Sequence, residues 1–120
     1  MPFEHSLAIQ VTRKHKDGAT CTIPLHDGLM NSNGVLHGGV IASIADEVAW
    51  WAILTALGDD RKMTTSELKV NYLRPIVGKK AVARGFVLKL GRTLAVTRID
   101  IFDEKRKLAA HATVTYAMLA

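Results

Sequence analysis

The chain has 120 residues, 48% of them hydrophobic and 22% charged, and its 16 basic against 11 acidic residues leave a formal net charge of +5. That length and composition predict one domain over residues 1–120, with enough apolar side chains for a single continuous core. The positive balance favours an anionic partner, but the basic residues are neither clustered on one helix nor interleaved with exposed aromatics, which argues against nucleic acid.

At the N-terminus, Met1-Pro2-Phe3-Glu4-His5 lacks the basic start and apolar core of a signal peptide. The longest apolar stretch, Ala49 to Leu57, falls short of the roughly 20 residues of a membrane span. Cys21 is the only cysteine and has no internal disulfide partner. The expectation is a cytoplasmic protein with no transmembrane segment and no membrane partner.

Leu7, Ile9 and Val11 alternate with polar or small residues up to Lys14, and Lys16-Asp17-Gly18 supplies turn chemistry before Ala19 to Pro24. This predicts an N-terminal strand or hairpin. The stretch His26 to Gly39, rich in Gly and Asn, leads into Val40 to Leu57, which holds no Gly or Pro and reads as the one long helix. Only Ser43, Asp46, Glu47 and Thr55 interrupt its apolar surface, so it should be surrounded by protein, in the concave face of a sheet. Four β-rich segments follow, Met63 to Leu73, Lys80 to Leu90, Thr93 to Phe102 and Lys107 to Met118, and they suggest an antiparallel meander. Turns are expected at Gly91-Arg92 and at Asp103 to Arg106, with a longer bend over Arg74 to Gly78. The fold class is therefore α+β, one helix wrapped by a curved antiparallel sheet. Such a sheet leaves open edges, and pairing two of them across a two-fold axis predicts a homodimer.

Chemistry concentrates around the helix. Asn31-Ser32-Asn33-Gly34-Val35-Leu36-His37-Gly38-Gly39 stands immediately before it, where unpaired N–H groups and the positive dipole end can polarise a carbonyl. The alternative for Gly38-Gly39 is an ordinary glycine-rich helix entry. Asp46 is a carboxylate in an otherwise apolar helix, which is costly unless the group is paired or used, and Glu47 is the competing acid. Gly38 and Asp46 are roughly 12 Å apart along one helix, too far to serve one carbonyl. Two copies of the helix, antiparallel across a two-fold axis, bring them together.

These residues, with Leu68-Lys69-Val70-Asn71-Tyr72-Leu73-Arg74-Pro75 and the Leu90-Gly91-Arg92-Thr93 turn, resemble the PaaI-like hotdog thioesterases of phenylacetic acid degradation, over about Asn31 to Ala120. The resemblance implies a hotdog fold, a double-hotdog dimer often paired into a homotetramer, and hydrolysis of acyl-CoA thioesters with no metal and no cofactor beyond the coenzyme A of the substrate. Carried over by position, Asp46 resembles the catalytic carboxylate, as general base or nucleophile, and Gly38 the N–H that polarises the thioester carbonyl. Asn31 and His37 resemble active-site positions from the subunit that supplies Gly38. Thr65 falls where the family often has a Ser or Thr that helps place the water, in the subunit that supplies Asp46. Glu47 beside Asp46, and the bulky Trp50-Trp51 pair, depart from the family pattern. The Trp pair reads as core or interface, or as one wall of an acyl pocket.

Arg74 and Arg92, at bends flanking the sheet, are candidates for the phosphates of coenzyme A, ahead of the Lys105-Arg106-Lys107 run, which reads as a solvated turn. His5, His15, His26 and His111 lack metal-ligand spacing. His37 orients the Gly38 peptide or simply packs, and Cys21 reads as core. Neither a Gly-x-Ser-x-Gly elbow, a Walker loop nor a dinucleotide fingerprint occurs. Thioester hydrolysis is the favoured function. A non-catalytic acyl-CoA binding module on the same fold is the alternative, and a hotdog hydratase or dehydratase comes third.

Overall fold

A computed structural model describes residues 7–58 and 61–119. The expectations for Met1 to His5, and for Asp59 and Asp60 after the helix, lie outside the described residues. Strands β1 (Gln10–His15) and β2 (Gly18–Pro24) form the N-terminal hairpin. A 3-10 turn over Asp27–Leu29 and a loop lead to helix α1 (Gly38–Leu57), which is followed by β3 (Met63–Tyr72), β4 (Lys80–Leu90), β5 (Leu94–Phe102) and β6 (Leu108–Met118).

All six strands belong to one antiparallel sheet in the order β1-β2-β4-β5-β6-β3. The meander expected over the last four strands holds for β4, β5 and β6 only. β3 pairs with β6, so the chain must return from one edge of the sheet to its middle before β4. The bend after β3 makes that crossing: the Leu73 and Arg74 N–H groups donate to Ala109 at the start of β6, and the Ile76 carbonyl accepts from Leu36 below the helix entry.

Period-two alternation gives β5 and β6 one buried face. Ala95, Thr97, Ile99 and Ile101 of β5, with Ala110, Ala112, Val114 and Tyr116 of β6, point at the helix. Many of the residues under the helix are small: Ala81, Ala83, Gly85, Ala95, Ala110 and Ala112. A Cβ at Gly85 would stand 3.0 Å from Val48 and 3.1 Å from both Ala52 and Ile99, so glycine sets how closely α1 lies on the sheet.

The helix starts two residues earlier than its sequence suggests. Gly38 and Gly39 have low helix propensity, but His37 caps them. Ile41, Ile44, Ala45, Val48, Ala49, Ala52 and Ile53 are buried against the sheet. Contrary to the expectation of a helix enclosed on all sides, the stripe Ser43, Asp46, Glu47, Trp50 and Leu54 is only half-buried, because one curved sheet covers one side of a helix. At 20 residues, α1 is also long and apolar enough to meet the length and composition of a membrane span, more than its sequence had suggested.

The two sheet edges differ. β1 is short and carries Arg13 and Lys14, devices that discourage further strand pairing. β3 is ten residues long, and most of it is exposed, including Leu68 and Tyr72.

Candidate active site

The site is built from both ends of β3, which runs beside α1. At the helix entry, Asn31 closes the loop: its Oδ1 accepts the N–H groups of Asn33 at 2.9 Å and Val35 at 3.3 Å, and its own N–H donates to the Val35 carbonyl at 2.8 Å. His37 then caps the helix. Its Nδ1 accepts from the Gly39 N–H at 3.1 Å, and its carbonyl accepts from Val40 and Ile41 at 2.9 and 3.1 Å. A ring nitrogen that accepts carries no proton, so this arrangement puts the His37 proton on Nε2.

Of the first four helical N–H groups, that of Gly38 alone has no acceptor among the described residues. The Tyr72 hydroxyl, from the end of β3, donates to the Gly38 carbonyl at 2.8 Å and so fixes the plane of the first helical turn. A Cβ at Gly38 would meet nothing nearer than the Tyr72 ring at 3.6 Å, an ordinary contact. Packing within one chain therefore does not require glycine there, whereas close approach of a ligand would.

Two turns further along α1, the Asp46 carboxylate is half-buried where the helix meets β3 and β6. Its Oδ1 accepts from the Thr65 hydroxyl at 2.6 Å, and the Tyr116 hydroxyl lies 3.0 Å from both that oxygen and the Asp46 carbonyl. Thr65 thus stands beside Asp46 in the same chain, with its proton directed at the carboxylate. Oδ2 accepts no hydrogen bond among the described residues.

A groove of about 530 Å³ opens beside this carboxylate, its wall including Thr65 and Tyr116 together with Glu47, Trp50, Trp51 and Met63. The two indole rings meet edge to face, 5.0 Å between centroids at 79°. Both rings are half-buried and line the groove, and Glu47 shares that wall.

Arg74 and Arg92 are exposed and do not converge within one chain. Arg74 is tied to the first residues of β6 through Ala109, while Arg92 lies next to Thr93, whose carbonyl accepts from Met118 at the other end of that strand. Nine residues of strand separate the two anchor points, about 30 Å. Asn31, His37 and Gly38 likewise form one group, and Asp46 and Thr65 another, at opposite ends of β3.

The thioesterase superfamily model matches residues 33–110. The chain belongs to the thioesterase superfamily. Its helix and curved six-stranded sheet are the hotdog fold of that superfamily. This thioesterase-superfamily chain is 30% identical to the medium/long-chain acyl-CoA thioesterase YigI of Escherichia coli K12, over 97% of its own length and 84% of that relative. A crystallised thioesterase from Haemophilus influenzae superposes with a TM-score of 0.86 at 30% identity, over 94% of this chain and 79% of that one. The PaaI protein from the phenylacetic acid degradation operon of E. coli has the same fold, with a TM-score of 0.87 at 20% identity, over 97% and 83% of the two chains.

Sequence reasoning missed Tyr116 and gave no role to Tyr72. Tyr116 had one signal: it continues the core-facing alternation of Ala112 and Val114, and a buried phenol needs a hydrogen-bond partner. The remaining candidates have structural places. His26 caps the 3-10 turn through the Gly28 N–H, and His111 bonds Asp100 on the outer face of the sheet. Cys21 is buried, and burial pushes its thiol up to about 11. Among the described residues, no group of three or more His, Cys, Asp or Glu is assembled that could hold a metal.

Proposed function

We propose that this protein hydrolyses acyl-CoA thioesters as a homodimer, with Asp46 of one subunit and the Gly38 N–H of the other at each reaction centre. The observation that carries the proposal is the pair of half-sites at the two ends of one exposed edge strand: Asp46 held by Thr65, and Gly38 held by Tyr72. An antiparallel pairing of β3 with its copy, about an axis near Leu68 and Lys69, sets Thr65 of one chain opposite Tyr72 of the other. The same axis brings the carboxylate of one helix toward the unpaired N–H of the other. It also covers the half-buried stripe of α1, and it moves Arg92 of one subunit toward Arg74 of its partner, where both could meet the phosphates of one coenzyme A. Pairs of such dimers would form the homotetramer implied by the family resemblance.

In this reading the acyl group lies along Trp50, Trp51 and Met63, and its carbonyl oxygen faces the Gly38 N–H and the positive end of the helix. Asp46 delivers an electron pair to the carbonyl carbon, directly or through a water that it deprotonates. The tetrahedral oxyanion collapses, the carbon–sulfur bond breaks, and coenzyme A leaves as the thiolate. On the direct route a water then hydrolyses the acyl–Asp46 anhydride to the free acid, and on the water route Asp46 passes its proton to the departing thiolate or to solvent. Asn31 and His37 act indirectly, by shaping the loop and cap that present Gly38. No step calls for a metal or a cofactor.

Thiol release from aryl-, short-, medium- and long-chain acyl-CoAs tests the proposal, with Asp46→Asn as the comparison. Turnover by the unmodified protein and its loss in the variant, with the dimer intact, is the expected result. Tight binding without thiol release from any ester would instead make the protein an acyl-CoA binding module.

A further inference from the structure

Thr65 of β3 and Tyr116 of β6 are direct cross-strand partners, so the two hydroxyls that meet at Asp46 come from one pair in the sheet beneath it. The ladder shifts register between Thr65 and Glu67, and a bulge of this kind re-aims the side chains beside it. Tyr116 is buried, only 6% exposed, and its hydroxyl end lies in the wall of the groove with Thr65, whereas Asp46 is half-buried. We infer that Tyr116 is a positioning residue for the reaction: together with Thr65 it holds Oδ1 of Asp46 and leaves Oδ2 as the oxygen that reacts. This rests on the catalytic role proposed for Asp46.

The chemistry follows from the donor count. A phenol and an alcohol directed at one carboxylate oxygen occupy it with two donors, and they fix the side-chain torsions of the aspartate. The proton taken from water, or the new bond to the acyl carbon, then falls to Oδ2. Tyr116 can hold this post throughout the working pH range, because burial pushes its phenol well above the ordinary tyrosine value. The nearby charges of Asp46 and Glu47 push in the same direction, so the group remains a donor.

A purely structural tyrosine would be satisfied by the Asp46 carbonyl alone. Tyr116→Phe keeps the ring and removes only the hydroxyl. With benzoyl-CoA and decanoyl-CoA as probes, kcat is expected to fall about tenfold, the rate equivalent of about 1.4 kcal/mol, with KM within about twofold. Independently of turnover, the carboxyl carbon-13 resonance of Asp46 at neutral pH should be displaced in the variant, as expected when a hydrogen-bond donor is lost from Oδ1. An unchanged kcat and an unchanged Asp46 carboxyl resonance in a folded Tyr116→Phe protein would overturn the inference. If that variant does not fold, 3-fluorotyrosine placed at position 116 gives a stronger donor. It should displace the Asp46 carboxyl resonance in the opposite direction, and no movement would be equally decisive. Retained turnover in Asp46→Asn would sink the catalytic reading itself, whereas loss there with normal Tyr116→Phe kinetics would sink this inference alone.

Discussion

Replacing Tyr72 by Phe removes one oxygen atom, and the structure separates its effect on stability from its effect on chemistry. The hydroxyl donates to the Gly38 carbonyl at 2.8 Å, but the side chain is 54% exposed, and that carbonyl also belongs to the first turn of the helix ladder. No buried polar group is orphaned, so the loss lies at the low end for a protein hydrogen bond, about 0.5 kcal/mol, or a fall in Tm of about 2 °C for a chain of this size. The chemical effect is larger, because the same bond anchors Gly38 through its carbonyl, and the N–H on the other side of that Cα is the one proposed to meet the substrate. Removing an oxyanion donor outright costs 10²- to 10³-fold, and loosening one should cost a fraction of that, about five- to tenfold in kcat with KM little changed. Differential scanning calorimetry and steady-state thiol release on the same preparation measure both quantities. An unchanged kcat, or a loss confined to KM, would refute the role given to Tyr72. A fall in Tm above about 10 °C would show that the hydroxyl holds the fold instead.

Three further outcomes follow from the same geometry. Gly38→Ala should hold or raise Tm slightly, since alanine favours helix by up to about 1 kcal/mol and its Cβ meets no close contact in the chain, while thiol release falls sharply because the Cβ obstructs the ligand. Arg74→Ala and Arg92→Ala should each raise KM for acyl-CoA several-fold at unchanged kcat, by an amount that shrinks with added salt. Cys21 has its folded pKa raised from 9.0 to about 11, so the stability it contributes is complete below pH 9 and is lost as pH rises toward 11. That loss amounts to about 3 kcal/mol at most, and chemical denaturation across this range should show a steeper loss in the unmodified protein than in Cys21→Ala, which keeps only the contribution of the buried Tyr116 phenol.

The elements with strong local signals were legible in the sequence. β4 has the bounds its residues predict, and the single helix, both tight turns and the alternation of β5 and β6 follow from periodicity and turn chemistry. Strand order was not legible, because the β3–β6 pairing depends on the crossing made by Leu73 to Lys79 and on no local preference. The uncovered stripe of α1 was hidden for a related reason: Trp50 and Leu54 are as apolar as the residues facing the sheet, and composition cannot say which side lacks a cover. Asp46 and Gly38 were singled out from residue type and spacing, and Thr65 from the family resemblance. Tyr116 was not, because its hydroxyl reaches Asp46 across 70 positions of sequence.

The central claim is that each reaction centre draws Gly38 and Asp46 from different subunits, and subunit complementation tests it most directly. Gly38→Pro deletes the N–H at the first helical position, where proline is tolerated, and the extended backbone of His37 at φ −61° and ψ 136° suits a residue before proline. Asp46→Asn disables the other half-site. Each variant alone should be inactive, and an equal mixture after dissociation and reassociation should recover about a quarter of the unmodified activity, since half of the dimers are mixed and each holds one intact centre. No recovery from mixed dimers shown to have formed, or full activity in Gly38→Pro alone, would contradict the account.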